Sequence, residues 1–147
     1  MIVKWPGVVE PDSICQEPVT SPDFYPTMLE MAGLDLIPEQ HEDGVSIMPL
    51  LTGEKETLDR EAIYWHYPHY GNQGGTPGSS IRMGDYKLIE FFEDGHLELY
   101  NLREDIGEEK DLAQEKPVLV KKMHKMLVNW RKEVEAKIPE PNPEYKG

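Results

Sequence analysis

Residues 80–102 hold three short strand-like runs separated by only two to three turn-forming residues, which leaves this stretch little alternative to an antiparallel meander. Residues 80–83 meet Gly84-Asp85, a Gly-first pair that suits a type II′ hairpin turn. Residues 86–92 then meet Glu93-Asp94-Gly95, and residues 96–102 follow. Residues 62–66 read as a further strand upstream. Such a sheet has one apolar face to bury, and the sequence supplies its cover. From Pro117 to about Ile138, Leu119, Met123, Met126, Leu127, Trp130 and Val134 recur at helical spacing, with charged residues between them. The expected fold class is therefore α+β: a small sheet of about four antiparallel strands packed with one long C-terminal helix. Beyond it, Pro139, Pro141 and Pro143 prevent the helix from continuing.

The first third of the chain reads differently. Ile2-Val3-Lys4-Trp5, stopped by Pro6-Gly7, has the pattern of a buried strand that ends in a turn. A core strand entered at its second residue suggests that Met1 starts partway into a longer chain. Residues 21–31 read as a helix in which Ser21 caps, Pro22 takes the first position and Asp23 meets the helix dipole. Phe24, Met28 and Met31 share one face, and Ala32-Gly33 closes the helix. A shorter helix follows Asp43-Gly44 through Pro49-Leu50-Leu51 and ends at Gly53. The polar stretch 53–59 marks the boundary, so the expected units are 1–57 and 58–147.

Charge narrows the partners. With 28 Asp and Glu against 15 Lys and Arg, the net charge of −13 repels phosphate backbones and argues against nucleic-acid binding. No run approaches the roughly 18 apolar residues of a membrane span. Cys15, the single cysteine, has no partner for an internal disulfide and reads as a small half-buried thiol.

In chain order, Lys4-Trp5-Pro6-Gly7, Asp23, Pro26-Thr27-Met28-Leu29, Ala32-Gly33, Asp43-Gly44-Val45-Ser46 and Pro49-Leu50-Leu51 resemble the later part of the sulfatases. The likeness continues through Ile81-Arg82, Gly84-Asp85-Tyr86-Lys87-Leu88-Ile89, Leu99-Tyr100-Asn101-Leu102, Asp105, Glu108 and Asp111-Leu112-Ala113, covering roughly residues 2–130. The physical roles of these motifs are chiefly structural: Gly84-Asp85 turns the chain, Leu88 and Leu99 supply core, and Asn101 and Asp105 sit where side chains cap turns. The resemblance implies that residues 1–57 are the last elements of a large alkaline-phosphatase-like α/β domain, and that the remainder is the small C-terminal subdomain of an arylsulfatase-like enzyme.

Hydrolysing a sulfate ester takes an in-line nucleophile, positive charge for the sulfuryl oxygens and an acid for the leaving alcohol. Sulfatases use a formylglycine, matured from Cys or Ser, beside calcium. The maturation motif carries Pro two residues and Arg four residues after the modified Cys. Cys15 is followed by Gln16, Glu17, Pro18 and Val19, so it does not fit, and Lys4 is not the family's active-site lysine. No catalytic residue, cofactor or metal ligand is therefore assigned to this chain. Asp43, Asp85, Asp94 and Asp105 lack the alternate spacing of a calcium loop. Calcium and formylglycine are expected in the full-length parent, whose substrate would be a sulfated carbohydrate or aryl sulfate. A bacterial parent would be periplasmic or extracellular.

The segment best suited to touch substrate is Tyr64-Trp65-His66-Tyr67-Pro68-His69-Tyr70 with the glycine-rich run to Gly78. Aromatic faces stack on sugar or aryl rings, and imidazoles hydrogen-bond hydroxyl or sulfate oxygens. In the sulfatases this region resembles part of the cleft rim, which makes His66, His69 and Arg82 the expected substrate contacts. His66 and His69 as a zinc pair lack a third ligand of suitable spacing. Arg82 could equally pair with an acid, and His41, His96 and His124 receive no functional role. The rival reading is a structural or sugar-binding module that associates with another chain through an exposed apolar face.

Overall fold

The computed structural model describes residues 1–72, 74–140 and 142–144. Pro141, one of the helix-stopping prolines of the tail, lies outside them. The chain divides into two compact units, Met1–Arg60 and Glu61–Gly147.

The second unit is the expected meander. Strands β1 (Ile63–Tyr67), β2 (Gly78–Met83), β3 (Tyr86–Phe91) and β4 (Leu97–Asn101) pair antiparallel in the order β1-β2-β3-β4. The register follows from the turns. Gly84 adopts a φ of 57° and the two-residue Gly84-Asp85 loop closes the Met83↔Tyr86 pair, as a Gly-first hairpin turn requires. Alternation then aligns Ile81, Leu88 and Leu99 on one face, all without exposed surface.

Helix α3 (Pro117–Glu133) covers that face with Met123 and Leu127, also fully buried, flanked by Leu119, Val120, Met126 and Trp130. The Trp130 ring stacks on Tyr64 with centroids 4.9 Å apart. Burial, then the carboxylates of Glu61 and Glu133, pushes the Tyr64 phenol up from its ordinary pKa. Polar contacts add to the apolar stripe. Glu90 of β3 accepts hydrogen bonds from Arg131 Nη2 at 2.7 Å and His124 Nε2 at 3.0 Å. The helix ends before Val134, which is half exposed and adds nothing to the stripe.

The free edge of β4 is closed by the chain that follows it. Leu99 donates to Asp111 Oδ1 at 2.9 Å, and Leu112 donates to the Leu99 carbonyl at 2.7 Å, so an exposed row of unpaired amides is avoided. Between them Asn101 Oδ1 accepts from Arg103 N, and Asp105 accepts from the amides of Glu109 and Lys110. These are the turn caps expected of both residues. Lys87 pairs with Glu108 at 2.6 Å.

In the first unit, a 3-10 turn (Ser21–Asp23) leads into α1 (Phe24–Met31), a second 3-10 turn spans Pro38–Gln40, and α2 covers Met48–Leu51. Thr20, rather than Ser21, stands at the cap position. Gly33, at φ 68°, and Leu34 donate back to Glu30 and Leu29 and end α1. Asp23 does more than meet a dipole. Its fully buried carboxylate accepts from Thr20 N, Val45 N and both terminal nitrogens of Arg60. Burial alone would raise its pKa, but these hydrogen bonds and the Arg60 charge outweigh it and hold the carboxyl below its ordinary value.

Two expectations fail here. Residues 2–5 form no strand, and Ile2 is fully exposed, because the Trp5 carbonyl accepts turn bonds from the amides of Val8 and Val9 in place of a ladder. Cys15 is exposed rather than half buried. On α1 the expected apolar face exists but points outward: Phe24, Met28 and Met31 all retain exposed surface, while Pro26 and Thr27 are buried.

Candidate functional site

Strand alternation places the side chains of the aromatic segment. Tyr64 and His66 share the helix-covered face with Ile81 and Ser79, their partners across the β1–β2 ladder. Trp65 and Tyr67 point to the opposite face, as does Arg82, which stands across from Ile63 and Lys87. His66 and Arg82 therefore lie on opposite sides of the sheet. His69 lies beyond the end of β1, exposed, with its ring edge-on to Tyr67 at 5.5 Å.

His66 is committed at both ring nitrogens. A backbone carbonyl can only accept, so Nε2 donates to Lys137 O at 2.9 Å; in the neutral ring Nδ1 then accepts from the Ser79 hydroxyl at 2.7 Å. Phe92 tilts against the ring with centroids 5.6 Å apart. The imidazole thus ties β1 to the nearly buried Ser79 of β2 and to the chain leaving α3. Arg82 Nε donates to Gly84 O at 3.2 Å, which leans the guanidinium toward the β2–β3 turn.

The exposed side of this region is aromatic. Trp65 and Tyr67 retain 45% and 57% of their surface, and Tyr70, with its hydroxyl on Glu93 Oε1 at 2.9 Å, retains 70%. Sequence reasoning found the aromatic segment but missed Ser79 and Lys137, because a contact between residues 71 apart leaves no local signal. Among the described residues no three His, Cys, Asp or Glu side chains converge as a metal ion would need.

Comparison with known proteins agrees with this architecture. The family model for the C-terminal region of N-sulphoglucosamine sulphohydrolase matches residues 1–133. A sulfatase of Formosa agariphila is 39% identical over 144 residues, covering 88% of this chain and 26% of the relative. Ps i-CgsB superposes with a TM-score of 0.72 at 27% identity over 86% of this chain and 27% of its own, and has also been solved with k-i-k-neocarrahexaose. A protein solved in complex with its substrate D-glucosamine-2-N,6-O-disulfate superposes with a TM-score of 0.65 at 28% identity, over 84% of this chain and 25% of its own. The chain spans about a quarter of the length of these relatives. It belongs to the N-sulphoglucosamine sulphohydrolase C-terminal family, the C-terminal region of the sulfatases.

Proposed function

We propose that this chain works as the C-terminal region of a sulfatase that hydrolyses sulfate esters on a carbohydrate, with the calcium and formylglycine chemistry supplied by sequence outside these 147 residues. The observation that carries this reading is the relationship to proteins solved with a sulfated glucosamine and with a neocarrahexaose, both above 25% identity. Family membership supports the reaction class, and these two ligands favour a saccharide over a simple aryl alcohol. Residues 1–57 would complete the large α/β domain. The outward apolar face of Phe24, Met28 and Met31 supports this, since such a surface gains free energy when another part of the enzyme covers it.

Within that enzyme the β1–β2 segment forms part of the cleft rim. His69 and Arg82 would meet substrate oxygens directly, whereas His66, engaged at both nitrogens, would position the segment. The test is an assay with a generic aryl sulfate and a sulfated disaccharide in the presence of calcium. It uses the chain alone and the chain fused behind the upstream three quarters of the Formosa agariphila relative. The fusion is expected to turn over the disaccharide and the isolated chain to be inert. Turnover by the isolated chain, or a folded fusion without turnover, would refute the assignment.

A further inference from the structure

The second unit carries a cleft of about 720 Å³ that shares Tyr70 and Pro77 with the aromatic and glycine-rich segment described above. Its apolar walls are Tyr70, Pro77, Phe92 and Pro139. Its polar groups are Glu93, Glu140 and Asn142. None of the described residues lining it is Lys, Arg or His.

Four of the lining residues are tied in pairs before any ligand arrives. Phe92 N donates to the Pro77 carbonyl at 2.9 Å, fixing two of the apolar faces to each other. The Arg131 guanidinium lies 5.3 Å and the His66 ring 5.6 Å from the Phe92 ring centre. The Arg131 charge is already met by Glu90 at 2.7 Å. Tyr70 donates its hydroxyl to Glu93, which orients both groups. Rings and carboxylates fixed in this way lose little freedom on binding.

We propose that this cleft is a saccharide subsite for an uncharged pyranose, a sugar unit of the polymer that carries no sulfate. Flat aromatic and proline faces suit the C–H face of a pyranose, and two carboxylates and an amide accept and donate to its hydroxyls. The same carboxylates repel a sulfate ester, so the cleft selects against the charged unit that the catalytic centre takes. A volume of about 720 Å³ accommodates one ring with room for its neighbour. The identity of the ligand as a sugar rests on the sulfatase reading above; the preference for a neutral one comes from the cleft itself.

The test is a pair of titrations of the ¹⁵N-labelled 147-residue chain, one with N-acetyllactosamine and one with its 6-sulfate, followed by amide chemical shifts. The neutral sugar is expected to shift amides around Tyr70 and residues 92–93 with a Kd in the millimolar range, and the sulfated one to bind about 5-fold more weakly. Tyr70→Ala, at a surface position, should weaken the neutral sugar about 5-fold without disturbing the remaining spectrum. Glu93→Gln should narrow the gap between the two sugars. Equal binding of both sugars, or no shift at these amides up to about 20 mM, would overturn the subsite. Turnover by the fusion enzyme with no sugar binding here refutes the cleft alone. Selective neutral-sugar binding with an inactive fusion upholds the cleft and refutes the sulfatase assignment.

Discussion

Arg60 Nη1 stands 2.7 Å from Oδ1 of Asp23, a carboxylate with no exposed surface, and Nη2 reaches its other oxygen at 3.1 Å. This bidentate pair, 37 residues apart, joins the start of α1 to the end of the first unit. Removing one partner strands the other as a buried charge, which costs more than the pair itself contributes. Asp23→Ala is expected to destabilise the unit by about 3–5 kcal/mol, measured by urea unfolding. Because the folded carboxyl titrates below its ordinary 3.8, its stabilisation is complete above that value and disappears as pH falls through the folded pKa. The first unit should therefore lose stability below about pH 4, and the Asp23→Asn variant should lose most of that acid dependence.

Gly44 is confined by backbone rather than by its own conformation. A Cβ there would lie 2.3 Å from the Pro22 carbonyl oxygen and 2.8 Å from its carbon, so the loop before α2 approaches the turn before α1 too closely for any side chain. Gly44→Ala should cost about 1–3 kcal/mol or more, as the two segments must separate. Gly75→Ala meets nothing closer than 3.9 Å and should change stability by no more than about 0.5 kcal/mol. Thermal unfolding of the two variants side by side checks the contrast.

The β3–β4 hairpin carries an exposed pH-sensitive contact. His96 Nδ1 lies 2.5 Å from Asp94 Oδ1, and its ring stacks on Phe91 with centroids 4.3 Å apart. The Asp94 hydrogen bond, joined by the charges of Asp94 and Glu98, outweighs desolvation and raises the histidine above its ordinary 6.5. A raised histidine stabilises the fold fully below the unfolded pKa, and that contribution fades as pH rises through the folded one. Titration of the His96 ring protons by NMR should give a midpoint above the ordinary value, returning toward it in Asp94→Asn.

The helix on the sheet is held by both apolar and ionic contacts, which can be separated. Leu127→Ala should cost about 2–5 kcal/mol, because its side chain is fully buried among Ile81, Leu88, Leu99 and Met123. Val118→Ala, at a position 84% exposed on the same helix, should fall within about 0.5 kcal/mol of the parent. Equal losses at both sites in denaturant unfolding would contradict the observed face of α3.

The meander and α3 were readable because their signals are local. Period-two alternation put Leu88 and Leu99 inside, Gly84 supplied the one positive φ the hairpin needs, and the stripe from Leu119 to Trp130 has helical period. Where the outcome depended on distant partners, local pattern failed. Ile2 to Trp5 looks like a strand, yet a strand needs a ladder partner, and the Trp5 carbonyl instead closes a turn with the amides of Val8 and Val9. The Asp23–Arg60 and Glu90–Arg131 pairs, 37 and 41 residues apart, leave no local signal; the sequence placed Asp23 at a helix start without its Arg60 partner. At the candidate site the sequence pointed to residues 64–70 but not to their facing: the β1–β2 register places His66 and Arg82 on opposite sides.

The end of β1 at Tyr67 separates the two histidines, one inside the ladder and one beyond it, and so predicts different phenotypes for them. His66 spends both nitrogens on Ser79 and Lys137, so His66→Ala leaves a buried hydroxyl without its acceptor and releases the chain after α3. A loss of about 1–3 kcal/mol is expected in unfolding of the 147-residue chain, with faster amide exchange around residues 135–139. His69 is exposed and packs only its ring edge on Tyr67, so His69→Ala should leave stability within about 0.5 kcal/mol. In the fusion enzyme the proposed rim contact should show as a raised KM for a sulfated saccharide with kcat unchanged, because a contact made equally to substrate and transition state alters binding alone. Should His69→Ala instead unfold the chain while His66→Ala leaves it intact, the division between a positioning histidine and a substrate-facing one is reversed.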